Sequence, residues 1–119
     1  MFLFRRGFGR LAPEQANARV NDGDAVLLDV REAAEWRAGH APGTIHLPLT
    51  RLLTGAALPD TVRGRPVAAI CRSGHRSQQA AKLPASRGVD AVDVTGGMTA
   101  RARAGLPVVD EGEQDGRIA

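Results

Sequence analysis

Short apolar runs alternate with amphipathic stretches along most of the chain. The runs at residues 25–30, 66–70 and 91–94 consist mainly of Ala, Val, Leu and Ile. Runs of this length without strict polar alternation predict strands that are buried on both faces, as in a parallel sheet. Because the intervening segments favour helices, the order of elements predicts an α/β fold, with a parallel sheet and helices on both of its faces.

Proline, glycine and helix-forming residues predict the remaining elements. Helices are expected at residues 13–20, 31–38, 50–57, 77–83 and 98–104, and a short strand at 44–46. Pro13 suits a first helical position, and Gly39 and Gly105 suit helix ends. Pro84 is expected to end or kink the fourth helix near Leu83, because proline lacks an amide N–H and collides with the carbonyl four residues earlier.

The length of 119 residues predicts one domain, with 43% hydrophobic and 24% charged residues as in ordinary globular proteins. We place this domain at residues 11–109, after an N-terminal arm at 1–10 and before an acidic flexible tail at 110–119. No apolar stretch suits a signal peptide or a membrane span, which predicts a cytoplasmic protein without a membrane partner.

The net charge of +3 does not predict a nucleic-acid partner. The basic residues form no run, and acidic residues lie among them. Aromatic residues make up only 3% of the chain, so aromatic platforms for stacking bases are scarce. We therefore expect no nucleic-acid binding.

The single cysteine, Cys71, carries the main chemical signal. One cysteine excludes an internal disulfide framework and a zinc site built mainly from thiolates. Cys71 lies between a predicted strand and a predicted helix, and ligands of parallel sheets bind at the carboxyl ends of strands. A thiol beside a helix N-terminus and arginines has a lowered pKa, so we expect a reactive thiolate. The alternative is a buried, inert cysteine that acts as a small hydrophobic residue.

The residues after Cys71 predict an anion-binding loop. Gly74 permits a turn that aims successive N–H groups inward, and Arg72 and Arg76 add positive charge. No acidic residue lies between Thr61 and Val89, a stretch that contains six cationic residues. A thiolate in such a loop can attack the sulfur or phosphorus of a bound oxyanion.

Four segments resemble the signatures of rhodanese-like domains, the sulfurtransferase family. The segment Cys71-Arg-Ser-Gly-His-Arg-Ser77 resembles the active-site loop of that family. The other three are Leu28-Asp-Val-Arg-Glu32 with Glu35-Trp36, residues 39–48 (GHAPGTIHLP), and Gly96-Gly-Met98 with residues 105–108 (GLPV). Together they extend the resemblance over residues 11–109. The resemblance implies a rhodanese-like sheet of about five strands.

The resemblance further implies transfer of a sulfane sulfur through a persulfide on Cys71. The donor is a small sulfur oxyanion such as thiosulfate, and the acceptor is a thiol or a protein. The loop residues expected to bind the substrate are Arg72, Ser73, Gly74, His75, Arg76 and Ser77. Arginine suits this role, because its fork matches the geometry of oxyanions. No cofactor and no resident metal is expected, and we expect a monomer or a weak dimer.

Two other functions fit parts of the pattern. A phosphatase or arsenate reductase of the same fold would use the same thiolate and arginine, but phosphatase relatives carry five residues between them, whereas four separate Cys71 from Arg76. A non-catalytic interaction or regulatory module would keep the fold without the activity. His40 and His46 are interpreted as hydrogen-bonded loop residues rather than metal ligands. Asp29 and Arg31 are expected to form a structural ion pair near the site.

One further departure from the family concerns the last helix. Arg101 lies where the family usually carries a tryptophan that helps to pack this helix. The replacement predicts thinner packing of the helix or a surface for a partner.

Overall fold

Five parallel strands form one sheet in the computed structural model, which describes residues 10–62, 64–86, 88–112 and 114–119. The strands are β1 (Arg10–Leu11), β2 (Val26–Asp29), β3 (Ile45–His46), β4 (Val67–Ile70) and β5 (Ala91–Val94). Their order in the sheet is β1-β5-β4-β2-β3, so β4 is the middle strand. This architecture confirms the predicted α/β fold with a parallel sheet.

Five α-helices connect or follow these strands in the described part of the chain. They are α1 (Pro13–Asn21), α2 (Ala33–Ala38), α3 (Leu49–Leu53), α4 (Arg76–Ser86) and α5 (Gly97–Arg103). A 3-10 helix, Asp60–Val62, precedes β4. None of the helices among the described residues has the length and apolar composition needed to cross a membrane.

Alternate side chains of the strands enter two separate hydrophobic clusters, because successive residues of a strand point to opposite faces. Leu28 and Ala69 lie in the cluster beneath α3 and α4, which also contains Cys71. Leu27 and Ile70 lie in the other cluster, together with residues of α1 and α5. Both faces of the sheet are therefore buried against apolar side chains, which explains why the strand segments lack polar alternation.

Of the predicted end or kink at Pro84, the end near Leu83 is wrong, because α4 continues to Ser86. Pro84 lies inside the helix and is fully buried. Pro84 has no N–H to donate and its ring crowds the carbonyl of Ala80, but burial of the ring offsets part of this cost. The carbonyl of Pro84 accepts a hydrogen bond from the amide of Val89 at 3.0 Å, which links the helix end to the segment before β5.

The segment expected to form a flexible tail is folded back on the domain. The amide of Arg117 donates to the carbonyl of Ala38 at 2.9 Å, and that of Gly116 donates to Val108 at 2.9 Å. Ile118 packs against the α1/α5 cluster. Backbone hydrogen bonds and one apolar side chain therefore hold a segment whose acidic composition predicts mobility.

The predicted N-terminal arm overlaps the first strand at one residue, Arg10. The N-terminal arm predicted at residues 1–10 lies outside the described residues, except for Arg10. Arg10 belongs to β1 and pairs with Asp93 of β5. Arg10, the last residue of the predicted arm, is therefore part of the sheet.

Candidate active site

The thiol of Cys71 lies directly after β4, the middle strand of the sheet. The amide N–H of Gly74 donates a hydrogen bond to Sγ at 3.1 Å. The hydroxyl oxygen of Ser77 lies 3.3 Å from Sγ, at the start of α4. Cys71 is only 1% exposed, so Sγ is enclosed by the loop that follows it.

The loop around Cys71 depends on an unusual backbone conformation at Gly74. Gly74 has φ +101°, a region in which residues with a Cβ are strained. Its carbonyl accepts hydrogen bonds from Nη2 of Arg10 at 3.2 Å and from Nε2 of Gln78 at 2.8 Å. With its carbonyl held outward by these two side chains, Gly74 aims its amide at the sulfur.

A chain of polar groups leads from the sulfur into the sheet. Ser77 is completely buried, and its hydroxyl donates to Oδ2 of Asp93 at 3.3 Å. Asp93 is 3% exposed and forms an ion pair with Arg10 at 2.9 Å. In the thiol form, Cys71 donates to Ser77; once the thiol ionises, the same hydroxyl is free to turn and donate to the sulfur.

Sequence reasoning missed Asp93 and Arg10 as neighbours of the site. The available signal was an aspartate within an otherwise apolar strand, because a buried carboxylate needs a partner. The alternation of side chains places Asp93 on the same sheet face as Cys71, opposite to Val92 and Val94.

Arg76 does not lie free beside the thiol, because Glu35 binds it. The two guanidinium nitrogens donate to the two carboxylate oxygens at 2.6 and 2.8 Å. This bidentate bond lowers the pKa of Glu35 below its ordinary value of 4.5, against the opposing effect of burial. The same bond raises the pKa of Arg76, with a smaller contribution from the nearby sulfur of Cys71.

The other predicted substrate-binding residues lie around the outside of the loop. Arg72, Ser73 and His75 are exposed. Nε of Arg72 donates to the backbone oxygen of Ala119 at 3.0 Å, so the folded C-terminal segment reaches the loop. The structure therefore gathers Gly74 and Ser77 at the sulfur, and leaves Arg72, Ser73 and His75 at the surface.

The start of α5 holds the loop from the other face of the sheet. The amide of Met98 donates to the carbonyl of Cys71 at 2.7 Å, and that of Thr99 donates to Arg72 at 3.0 Å. A Cβ at Gly97 would collide with both of these carbonyl groups. Gly97, with φ +59°, thus allows the helix to approach the backbone of the active-site loop.

The expected ion pair between Asp29 and Arg31 is present and completely buried. Nη2 of Arg31 lies 2.7 Å from Oδ2 of Asp29 and donates to the carbonyl of Gly39 at 2.6 Å. Nε2 of His46 donates to the carbonyl of Arg31 at 2.7 Å. These bonds connect the end of β2 with the loop before β3 and with β3 itself.

His40 and His46 make backbone hydrogen bonds, as their sequence context indicates. Nδ1 of His40 donates to the carbonyl of Trp36 at 2.6 Å, and the His40 ring stacks on Trp36 with 3.7 Å between centroids. His46 stacks on Trp36 at 5.2 Å. Across residues 10–62, 64–86, 88–112 and 114–119, no group of three or more His, Cys, Asp or Glu side chains could hold a metal ion.

The comparisons with known proteins agree with this geometry. The family model of the rhodanese-like domain matches residues 12–104. A rhodanese-related protein from Thermoplasma volcanium is 28% identical with a TM-score of 0.78, over 87% of this chain and 100% of that one. A Rhodopseudomonas palustris protein described as a possible tyrosine phosphatase is 28% identical with a TM-score of 0.73, over 83% of each chain.

A larger enzyme shares the fold as well. The thiosulfate sulfurtransferase from Pseudomonas aeruginosa is 23% identical to this chain with a TM-score of 0.73. The match covers 92% of this chain and 21% of that enzyme. At this identity the likeness concerns the fold alone.

Proposed function

Since the chain belongs to the family of rhodanese-like domains, we propose that it is a sulfurtransferase that carries a sulfane sulfur on Cys71. The donor is a small sulfur oxyanion such as thiosulfate, and the acceptor is a thiol or a protein. The observation that carries this proposal is the hydrogen bond from the Gly74 amide to Sγ, in a loop between the middle strand and α4. An N–H aimed at the sulfur stabilises negative charge there, both before and after transfer.

The reaction proceeds by two displacements at sulfur. The thiolate of Cys71 attacks the outer sulfur of thiosulfate, a new S–S bond forms, and the old S–S bond breaks as sulfite leaves with the electron pair. An acceptor such as cyanide then attacks the outer sulfur of the persulfide and leaves as thiocyanate, which regenerates the thiolate. Nucleophilic catalysis with a covalent intermediate of this kind gives ping-pong kinetics.

The protein groups around the sulfur have separate tasks in these steps. The amide of Gly74 and the hydroxyl of Ser77 stabilise the anionic sulfur, because each can donate a hydrogen bond to it. The guanidinium of Arg76 attracts the sulfonate end of the donor. Glu35 fixes the orientation of Arg76 through two hydrogen bonds and also reduces its net attraction for anions.

The donor must open the site, because Cys71 is 1% exposed. Two contacts over the loop involve the same cationic side chains that suit an oxyanion: Arg72 with Ala119, and Arg76 with Glu35. An arriving oxyanion competes with these oxygens for the guanidinium groups. Binding of the donor by these guanidinium groups therefore has to displace Ala119 and Glu35, at least in part.

A thiosulfate and cyanide assay tests the proposal, with thiocyanate as the product measured. We expect turnover by the wild-type protein and none by Cys71→Ser. The control is Thr61→Ala, a change of an exposed hydroxyl in the 3-10 helix Asp60–Val62, which keeps the activity. The proposal is contradicted if folded wild-type protein turns over neither thiosulfate nor an organic persulfide donor.

A non-catalytic rhodanese-like module is the second candidate, and the burial of Cys71 is the observation in its favour. In that case the thiol resists both sulfur donors and alkylating reagents. A phosphatase is a third candidate, because a relative at 28% identity is described as a possible tyrosine phosphatase. The four residues between Cys71 and Arg76 make a tighter loop than phosphatases use, so we expect negligible hydrolysis of p-nitrophenyl phosphate.

A further inference from the structure

Arg101 is a buried cation without a carboxylate partner among the described residues. It lies in α5 and is only 4% exposed. Nε donates to the carbonyl of Pro107 at 3.0 Å, and Nη1 donates to Oδ1 of Asn17 at 3.3 Å. Both acceptors are neutral, so the positive charge is hydrogen-bonded but not compensated.

An uncompensated buried charge reduces the stability of the fold, because the surrounding protein groups solvate the charge less well than water does. Burial accordingly lowers the pKa of Arg101. An arginine remains charged despite such a change, since the ordinary pKa of its guanidinium lies far above neutral pH. A bound anion would offset the lost hydration by supplying the missing negative charge.

A cavity of about 170 Å³ lies beside this guanidinium. Part of its wall is apolar and comes from Val20, Leu27 and Pro42, and the side chain of Asn21 also lines it. Arg101 lines the same cavity. The cavity thus combines one cation, side-chain amides and an aliphatic surface.

We propose that this cavity binds a small aliphatic carboxylate, with the carboxylate on Arg101 and the alkyl chain against the apolar wall. The planar guanidinium matches a carboxylate better than it matches a spherical anion. The volume is sufficient, because a cavity of about 150 Å³ accommodates benzene. A carboxylic acid of roughly four carbons, such as butyrate, is therefore a suitable probe.

The proposed pocket is separate from the candidate active site. Leu27 of its wall belongs to the cluster beneath α1 and α5, whereas Cys71 belongs to the cluster beneath α3 and α4. The two sites lie on opposite faces of the sheet. Binding to Arg101 therefore does not depend on sulfur transfer, and either proposal can fail without the other.

Titration of the isotope-labelled protein with butyrate, followed by NMR, tests the pocket. We expect the side-chain amide signals of Asn17 and Asn21 to shift with saturation, and butyramide, which is neutral and nearly isosteric, to bind at least about tenfold more weakly. Equal shifts with butyramide, shifts confined to the Cys71 loop, or no shift at all would overturn the proposal. This comparison uses the wild-type protein alone.

Two variants of the same helix locate the binding. Arg101→Met removes the cation while it keeps much of the side-chain volume, and we expect the response of Asn17 and Asn21 to butyrate to disappear. Arg103→Met removes an exposed cation from α5 and should leave the titration unchanged. Unaltered butyrate affinity in Arg101→Met also overturns the proposal.

Discussion

The guanidinium of Arg76 makes two hydrogen bonds to the carboxylate of Glu35, at 2.6 and 2.8 Å, across 41 residues of sequence. The pair joins the first turn of α4, directly after the Cys71 loop, to α2. It holds the arginine of the loop in place and neutralises much of its charge. The loop is therefore less cationic than its sequence indicates.

The Glu35 pair predicts a pH-dependent contribution to stability. Because the pKa of Glu35 is lowered in the folded protein, its contribution is fully present above the ordinary value of 4.5 and is lost as the pH falls through the lowered folded value. We expect Glu35→Gln to reduce the free energy of unfolding by about 1 kcal/mol or less at neutral pH. The deficit should shrink on acidification below 4.5, as measured by urea unfolding.

The exposed residue Glu14, in the first turn of α1, provides the control for this experiment. Glu14→Gln should show no comparable change of the deficit between neutral and acidic pH. A deficit of Glu35→Gln that stays constant across this range would contradict the assignment of the lowered pKa.

Gly97→Ala should abolish sulfur transfer, because the added Cβ displaces the carbonyl groups of Cys71 and Arg72. Gly105→Ala is the matched control at the other end of α5: its φ is +77°, and nothing lies within 4 Å of an added Cβ. Strain at the positive φ should cost both variants about 1–2 kcal/mol of stability. Only Gly97→Ala should also lose sulfur-transfer activity, measured as turnover per amount of folded protein. Equal activities would show that the contact does not shape the loop.

Ser77→Ala should weaken catalysis without unfolding the protein. The variant removes the hydroxyl that lies 3.3 Å from both Sγ and Asp93. A hydrogen bond to a charged group contributes about 1.5–3 kcal/mol, which corresponds to a loss of roughly tenfold to a hundredfold in kcat/KM. The rate of alkylation of Cys71 should fall in parallel. If both rates equal those of Thr61→Ala, the Ser77 hydroxyl has no role at the sulfur.

Replacing only one member of the buried Asp29–Arg31 ion pair should strongly reduce the free energy of unfolding. Arg31→Met leaves a completely buried carboxylate without its cation, so we expect a loss of about 3–5 kcal/mol in the free energy of unfolding. The double variant with Asp29→Asn should recover part of this loss. Arg37→Met, whose side chain is 62% exposed, should change stability by about 0.5 kcal/mol or less. A similarly small effect of Arg31→Met would contradict the structural role.

The fold was largely predictable because its central strands are continuous apolar runs between turn residues. Strands β2, β4 and β5 carry this signal, and the family resemblance over residues 11–109 agrees with the match at 12–104. Strand β1 was missed, because Arg10–Leu11 is too short to show a periodic pattern. The extension of α4 past Leu83 was missed, because burial of Pro84 is a tertiary effect.

The position of Cys71 and the turn at Gly74 followed from local sequence, whereas the charged partners did not. Arg10 and Asp93 lie 83 residues apart, and only the pairing of β1 with β5 brings them together. The departure at Arg101 was visible in the sequence, but the cavity beside it depends on how α1 and α5 pack. Spacing along one sequence does not determine such distant contacts.

The most direct test of a sulfur-carrying Cys71 is the intact mass of the protein after exposure to thiosulfate and removal of the excess. A sulfur-carrying role of Cys71 predicts a gain equal to one sulfur atom, located at Cys71, reversed by cyanide and absent in Cys71→Ser. A folded wild-type protein that gains no mass from thiosulfate or from an organic persulfide donor, and whose thiol also resists alkylation, would contradict it.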